Sequence, residues 1–94
     1  MRMTWTKEQD VLAYYLYRTG EKMSSVKAND ICRIMQIGKN TLRRRIGNFK
    51  YLGGTANQSH YARMTKETFE EYRYSNLEEL ENLASKILSD HSSR

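Results

Sequence analysis

Three consecutive arginines, Arg43 to Arg45, are the side chains of this sequence best suited to binding chemistry. They lie within "GKNTLRRRIGNFK", residues 38–50, which also contains two lysines and no acidic residue. Guanidinium groups form paired hydrogen bonds with guanine edges and with phosphates, and asparagine does the same with adenine. The segment therefore predicts a surface that binds a polyanion such as DNA.

The charge of the chain is unevenly distributed. Its net charge is +5; residues 1–64 carry 12 basic and 4 acidic side chains, whereas residues 65–94 carry 4 and 7. Residues 31–66 include eight lysines or arginines and no acid. Such a block produces a positive field that attracts polyanions, and a solvated face without a partner is the alternative interpretation.

Capping signals and apolar spacing predict an all-α fold. Thr6 and Gln9 match a capping box that starts the first helix, which should end near Gly20. Thr65 is the expected N-cap of the fourth helix, and Ser75 and Glu78 match another capping box at the start of the fifth. The polar tail "SDHSSR" is expected to fray. The predicted helices cover roughly residues 6–20, 26–36, 39–50, 65–74 and 75–90. Residues 51–63 are expected to form a loop or a short β-hairpin. Residues 1–94 thus form a single domain, a helix-turn-helix three-helix core with one or two additional C-terminal helices.

The second and third predicted helices match a helix-turn-helix motif. Cys32 is small enough for the close crossing of the two helices, and apolar residues occupy the interior positions of the motif: Met35, Ile37, Leu42 and Ile46. The turn position usually held by glycine is Gln36, and Gly38 follows two residues later. The sequence therefore predicts this motif with an unusual turn.

The third predicted helix has one apolar side, formed by Leu42, Ile46 and Phe49. At about 100° per residue, Arg44 and Asn40 point almost directly away from that side. Three consecutive arginines span about 200° of the helix circumference, so they cannot all perform one task. We therefore expect the polar residues to divide into an outward group and a flanking group.

The two groups are predicted to contact DNA differently. The outward group suits base edges in the major groove: Asn40, Arg43 and Arg44. The flanking group suits phosphates: Lys39, Arg45 and Lys50. Gly47 has no side chain and lets the backbone approach the duplex. The full candidate site comprises Lys39, Asn40, Thr41, Arg43, Arg44, Arg45, Gly47, Asn48, Lys50 and Arg63.

Two of these candidates have alternative interpretations, and a third is expected to contact DNA from a loop. Arg45 can instead run along the edge of the core or pair with an acid of a terminal helix. Asn48 can instead cap the end of the third helix. Arg63 is expected in the loop after the glycine pair with Tyr61, from which both can enter a minor groove as a wing does.

Two segments together resemble a known domain. "WTKEQDVLAYYLY", followed by a helix-turn-helix that ends in "RIGNFKYL", is similar to the N-terminal recognition domain found ahead of HNH-type restriction endonucleases. The resemblance covers about residues 5–70, and its matching positions are Trp5, Thr6, Tyr17, Asn48, Phe49 and Leu52. It implies a DNA-facing helical domain. It does not imply nuclease activity, because His60 and His91 are the only histidines and form no His-Asn-His constellation.

Several functional classes find no support in the sequence. No nucleophile lies beside a base and no glycine-rich phosphate loop occurs, so we expect neither enzymatic activity nor a cofactor nor a small-molecule substrate. The single Cys32 provides neither an internal disulfide nor a cysteine-based zinc site. The sequence has no signal-peptide pattern and no run of 18 apolar residues, so we expect a cytoplasmic location and no membrane partner.

These observations predict a sequence-specific double-stranded DNA-binding protein, a transcriptional regulator that inserts residues 39–50 into the major groove. One small domain binds DNA weakly, which makes a homodimer a natural expectation. The terminal helix has an apolar seam that can pack on the core or dimerise: Leu77, Leu80, Ala84 and Ile87. The alternative function is a small phage- or plasmid-type interaction protein that binds a host protein complex through the helix-turn-helix scaffold.

Overall fold

The structure, a computed structural model, describes residues 5–20, 22–54 and 63–92. Within these residues the chain forms five α-helices and no β-strand, which confirms the predicted all-α fold. The helices are α1 (Lys7–Thr19), α2 (Ala28–Met35), α3 (Lys39–Leu52), α4 (Arg63–Tyr72) and α5 (Leu77–Ser92). No helix in the described part of the chain combines the length and the apolar character needed to cross a bilayer.

The central helix of the fold is α1. Its start is fixed by the predicted capping box, in which the Gln9 N–H donates to Thr6 Oγ1 at 3.2 Å and the Thr6 N–H donates to Gln9 Oε1 at 2.9 Å. It ends at Gly20, whose φ of +84° suits glycine. All side chains from Gln9 to Leu16 are buried, and each of the other four helices packs against α1. The core therefore surrounds this helix.

The turn between α2 and α3 is made by Gln36, which adopts the left-handed conformation with φ 57° and ψ 50°. Its N–H donates to the Cys32 carbonyl, as does the N–H of Ile37 at 3.1 Å. Gly38 then adopts an extended conformation and precedes α3. A glutamine thus takes the backbone conformation that glycine usually supplies in this turn, at a cost of about 1–2 kcal/mol.

The terminal helix packs on the core. Leu80, Ala84 and Ile87 are buried, and α5 packs against α1 and α2, whereas Leu77 is 48% exposed. The helix continues to Ser92, so residues 89–92 of the polar tail that was expected to fray are helical. These apolar side chains are consequently already covered by the same chain.

The start of α5 differs from the predicted capping box of Ser75 and Glu78. Asn76 caps the helix instead: the Glu79 N–H donates to Asn76 Oδ1 at 2.8 Å, and the Asn76 N–H donates to Glu79 Oε1 at 3.3 Å. The reason is that Ser75 belongs to the preceding turn. Its N–H donates to the Tyr72 carbonyl, and its own carbonyl accepts from Arg18 Nη2 at 2.9 Å.

Two predictions for residues 51–65 change in the structure. Residues 51 and 52 form the last turn of α3, Gly53 and Gly54 form a turn, and residues 55–62 of the predicted loop or hairpin lie outside the described residues. Because α4 already includes Arg63, Thr65 is not the N-cap of this helix. Thr65 is a fully buried helical residue with hydrogen bonds to neighbouring helices.

Candidate nucleic-acid interface

The helix α3 has a buried side and an exposed side. Leu42 and Phe49 are 0% exposed and Ile46 is 6% exposed, which confirms the predicted buried side. This side packs against α1, with further contacts to α2 and α4. The remaining circumference is divided between solvent and α4, and this division determines which polar residues are accessible.

Six polar residues of α3 are exposed, and we call them the basic strip: Lys39, Asn40, Thr41, Arg43, Arg44 and Lys50. They include four cations, and the first turn of α3 contains no acid. Gly47 lies within the strip and is half-buried. Tyr51, seven residues after Arg44 and therefore on the same side, is also half-buried. The strip is a cationic surface about three turns long.

Three cations of the basic strip have no partner among the described residues. Lys39, Arg43 and Arg44 form no ion pair or hydrogen bond with the residues that the structure describes. Gly38 precedes α3 without a side-chain cap, so the N–H groups of the first turn add a positive partial charge at this end. The field at this surface is therefore positive and available to an anion.

Arg45 does not belong to the basic strip. Its Nη1 donates to Thr65 Oγ1 of α4 at 2.8 Å and lies 3.7 Å from Asp10 Oδ1 of α1. Its guanidinium carbon lies 4.6 Å from the centre of the Trp5 ring, a cation–π contact. Burial lowers the pKa of Arg45, and the Asp10 carboxylate partly opposes this effect. Arg45 thus pairs with an acid, as one alternative interpretation had it, but this acid belongs to α1 and not to the terminal helix α5.

Trp5, Asp10, Arg45 and Thr65 form what we call the Asp10 cluster. Asp10 is fully buried and its Oδ1 accepts hydrogen bonds from Trp5 Nε1 at 3.0 Å and from Thr65 Oγ1 at 3.4 Å. The cluster joins the segment before α1, α1 itself, α3 and α4. Sequence reasoning missed Asp10, although an acid beside the apolar residues of α1 was a signal that it is buried with a partner.

Asn48 is also absent from the basic strip. It is 7% exposed, and α3 continues for four residues beyond it, so it neither reaches solvent nor caps the helix. Asn48 follows Arg45 by three residues and therefore lies on the same flank of α3. Since Arg45 bonds to α4 and α4 packs along α3, this flank is covered.

Arg63 is the first residue of α4, after the connection that leads from α3. It is an exposed residue of α4, so its predicted place in the loop after the glycine pair is wrong. Tyr61, with which it was expected to form a wing, lies outside the described residues. Arg63 nevertheless adds a further cation to the exposed surface of the described chain.

No group of three or more histidine, cysteine, aspartate or glutamate side chains in the described residues is arranged to hold a metal ion. Comparison of the chain with protein-family models, with curated proteins and with solved structures finds no match. The resemblance to the recognition domain of HNH-type restriction endonucleases therefore remains a hypothesis that depends on the sequence segments quoted above.

Proposed function

We propose that this protein binds double-stranded DNA sequence-specifically and acts in the cytoplasm as a transcriptional regulator. The single observation that supports this proposal most strongly is the basic strip. The helix α3 has its apolar side buried in the core and exposes four cations. Its first turn contains no acid that would offset their charge. An α-helix fits into the major groove of B-DNA, so α3 is the element that enters it.

The basic strip divides into residues that pair with bases, which we call readers, and residues that bind phosphates, which we call anchors. Asn40, Arg43 and Arg44 point outward and pair with base edges, Arg with guanine and Asn with adenine. Lys39 and Lys50 bind phosphates, which fix the position of the protein without reading sequence. Arg45 and Asn48 are not part of this contact set, because both lie on the flank covered by α4.

Affinity considerations favour a second protomer. A single domain that neutralises about four to six phosphates binds with dissociation constants near 10⁻⁴ to 10⁻⁶ M at physiological salt. Two protomers on adjacent half-sites bind more tightly. Because Leu80, Ala84 and Ile87 are buried within the chain, a homodimer must use a surface other than this seam.

Fluorescence anisotropy with labelled duplex DNA at several salt concentrations tests the proposal. We expect the logarithm of affinity to fall with the logarithm of salt concentration with a slope of about −4 or steeper. Lys39→Gln should make the slope shallower by about one. Lys86→Gln is the matched control: Lys86 is an exposed lysine of α5, a helix that does not pack against α3, and the slope should stay unchanged.

Failure to bind duplex DNA at about 50 mM salt would contradict the proposal, because the electrostatic contribution is strong under that condition. That result would favour the alternative, in which the same scaffold binds an acidic surface of a protein complex. Equal effects of the two lysine substitutions would show that binding depends on overall charge and not on α3.

A further inference from the structure

A second cationic and aromatic region lies outside the basic strip, where the end of α1 and the end of α3 meet the turn between α4 and α5. It is a groove of about 370 Å³, which we call the aromatic groove. Its main lining residues are Tyr14, Tyr17, Arg18, Phe69, Arg73 and Tyr74, and none of its described lining residues is acidic. The volume lies in the range of about 300–1,000 Å³ that small-molecule sites occupy.

Arg18 fixes the shape of the groove and gives it a positive charge. Its Nη1 donates to Tyr14 Oη and to the Tyr72 carbonyl, both at 3.2 Å, and its Nη2 donates to the Ser75 carbonyl at 2.9 Å. All of these acceptors are neutral, so the guanidinium charge is not cancelled. The α4–α5 turn is thus held in place by a cation that still attracts anions.

Arg73 and Tyr74 are exposed residues of the groove lining, and they supply a guanidinium and an aromatic ring for a ligand. The Arg73 guanidinium carbon lies 5.1 Å from the centre of the Phe69 ring and 5.2 Å from that of the Tyr74 ring. This guanidinium has no hydrogen-bond acceptor among the residues that the structure describes. Tyr74 is 88% exposed, so its ring is accessible to a ligand.

Gly53 lines the groove at the end of α3 and leaves room for the Tyr17 hydroxyl. A Cβ atom at this position would overlap the Tyr17 hydroxyl, so a larger residue would push the tyrosine ring from its place in the lining. The groove therefore has a floor of rings, two uncancelled arginines and a glycine wall. This combination of aromatic rings with cations matches a planar ring that carries a negative charge nearby.

We propose that the aromatic groove binds a nucleobase together with its adjoining phosphate, as a site separate from the basic strip. The base stacks on the Tyr74 ring, and the phosphate accepts hydrogen bonds from Arg73, whose planar guanidinium suits phosphate geometry. Arg18 adds electrostatic attraction without leaving its backbone acceptors. A free nucleoside monophosphate and an unstacked nucleotide of a DNA strand both present this chemistry.

The direct test is a titration of the full chain with AMP in which NMR chemical shifts report binding. We expect saturable binding that weakens at least about fivefold in Tyr74→Ala, since the stacking surface is lost, and in Arg73→Gln, since the phosphate donor is lost. Both side chains are exposed, so the fold is retained. Arg33→Gln, at an exposed arginine of α2, is the matched control and should leave the affinity unchanged.

Two fragments separate the parts of the ligand. Adenosine lacks the phosphate and ribose 5-phosphate lacks the base, and each should bind more weakly than AMP. Equal binding of ribose 5-phosphate and AMP would overturn the proposal, because it would remove the role of the aromatic floor. Absence of saturable AMP binding at about 10 mM would also overturn it.

A second experiment decides whether the ligand is a free nucleotide or a nucleotide of a DNA strand. A duplex with one unpaired adenine is compared with the fully paired duplex by anisotropy. A preference for the unpaired adenine that Tyr74→Ala removes identifies a strand nucleotide as the ligand, and AMP binding without this preference identifies a free nucleotide. The AMP titration contains no DNA, so a failure of the proposed function would leave it unaffected and the two proposals are distinguishable.

Discussion

Arg44 and Arg45 are adjacent in the sequence and have the same side chain, yet they lie in opposite environments. Arg44 is exposed and forms no ion pair or hydrogen bond with the described residues, whereas Arg45 bonds to Thr65 and approaches Asp10. The difference follows from the step of about 100° per helical residue, which turns Arg45 toward the flank covered by α4. One arginine is thus available to a partner, while its neighbour holds the helix in place.

This comparison separates two uses of positive charge in one segment. A cation without a partner in the folded chain contributes to binding, because it gains contacts only when an anion arrives. A cation that neutralises a buried acid contributes to stability, because its loss leaves that acid without compensation. The following substitutions test this separation, in order of decreasing effect.

Asp10→Ala should have the largest effect. The substitution removes the acceptor of Trp5 Nε1 and Thr65 Oγ1 and leaves Arg45 without its counter-ion, so we expect the free energy of unfolding to fall by about 3–5 kcal/mol. Urea denaturation followed by circular dichroism measures it. Asp30→Ala is the control, because the side-chain partner of Asp30 among the described residues is Arg33, in an exposed ion pair, and this substitution should cost below about 1 kcal/mol. Similar losses for the two variants would show that the Asp10 cluster does not anchor the fold.

Arg45→Ala should lower the free energy of unfolding by about 2–3 kcal/mol. It removes the hydrogen bond to Thr65 and the contact with Trp5, and it leaves the buried Asp10 without a cation. Arg44→Ala is the matched control and should change stability by less than about 0.5 kcal/mol. If Arg45 bound phosphate instead, its substitution would leave the urea midpoint unchanged and make the salt slope shallower.

Arg44→Ala should instead weaken DNA binding. We expect a loss of about 1–3 kcal/mol for the preferred duplex, which is first identified by selection from a random pool, and a much smaller loss for random DNA. Lys39→Ala should weaken both duplexes about equally, because phosphates carry no sequence information. Identical ratios of specific to random affinity in the two variants would refute the assignment of readers and anchors.

The exposed ion pair of Lys7 and Glu71 should have the smallest effect. Lys7 Nζ lies 2.8 Å from Glu71 Oε1, and this hydrogen bond lowers the pKa of Glu71 below its usual 4.5 and raises that of Lys7 above its usual 10.5. The stabilisation by Glu71 is therefore present above pH 4.5 and is lost as the pH falls through its lowered pKa. The stabilisation by Lys7 is lost as the pH rises through its raised pKa.

Because both side chains of this pair are about half exposed, we expect Glu71→Gln to cost below about 0.5 kcal/mol at pH 7. The cost should shrink as the pH falls below 4.5 through the lowered pKa of Glu71, and it should vanish once the carboxylate is protonated. Urea denaturation at pH 7 and at a series of acidic pH values measures the difference. A cost that is larger at acidic pH would contradict the sign derived from the pKa shifts.

Local signals in the sequence predicted much of the fold. The capping box of Thr6 and Gln9 and the apolar side of α3 are confirmed, because both depend on contacts within a few residues. The cap of α5 was predicted one residue early, at Ser75. Ser75 with Glu78 and Asn76 with Glu79 satisfy the same spacing, and the choice is made by Arg18, which binds the Ser75 carbonyl from α1.

The candidate site was predictable only in part, for a related reason. The direction of each side chain on α3 follows from helical geometry, and the exposed residues Asn40, Arg43 and Arg44 agree with it. The burial of Arg45 and Asn48 depends on where α4 docks, which no short-range pattern in α3 encodes. Accessibility at the edge of a helix is a tertiary property, so it required the structure.

Trp5 is the only tryptophan of the chain, and its ring lies between a hydrogen bond to Asp10 and the guanidinium of Arg45. Its fluorescence therefore reports on the attachment to the core of α3, the helix that we propose to bind DNA. Any step in which α3 shifts or detaches will change the polarity around this indole. An unlabelled sample in an ordinary fluorimeter can follow that movement in real time, including in stopped-flow mixing with a partner.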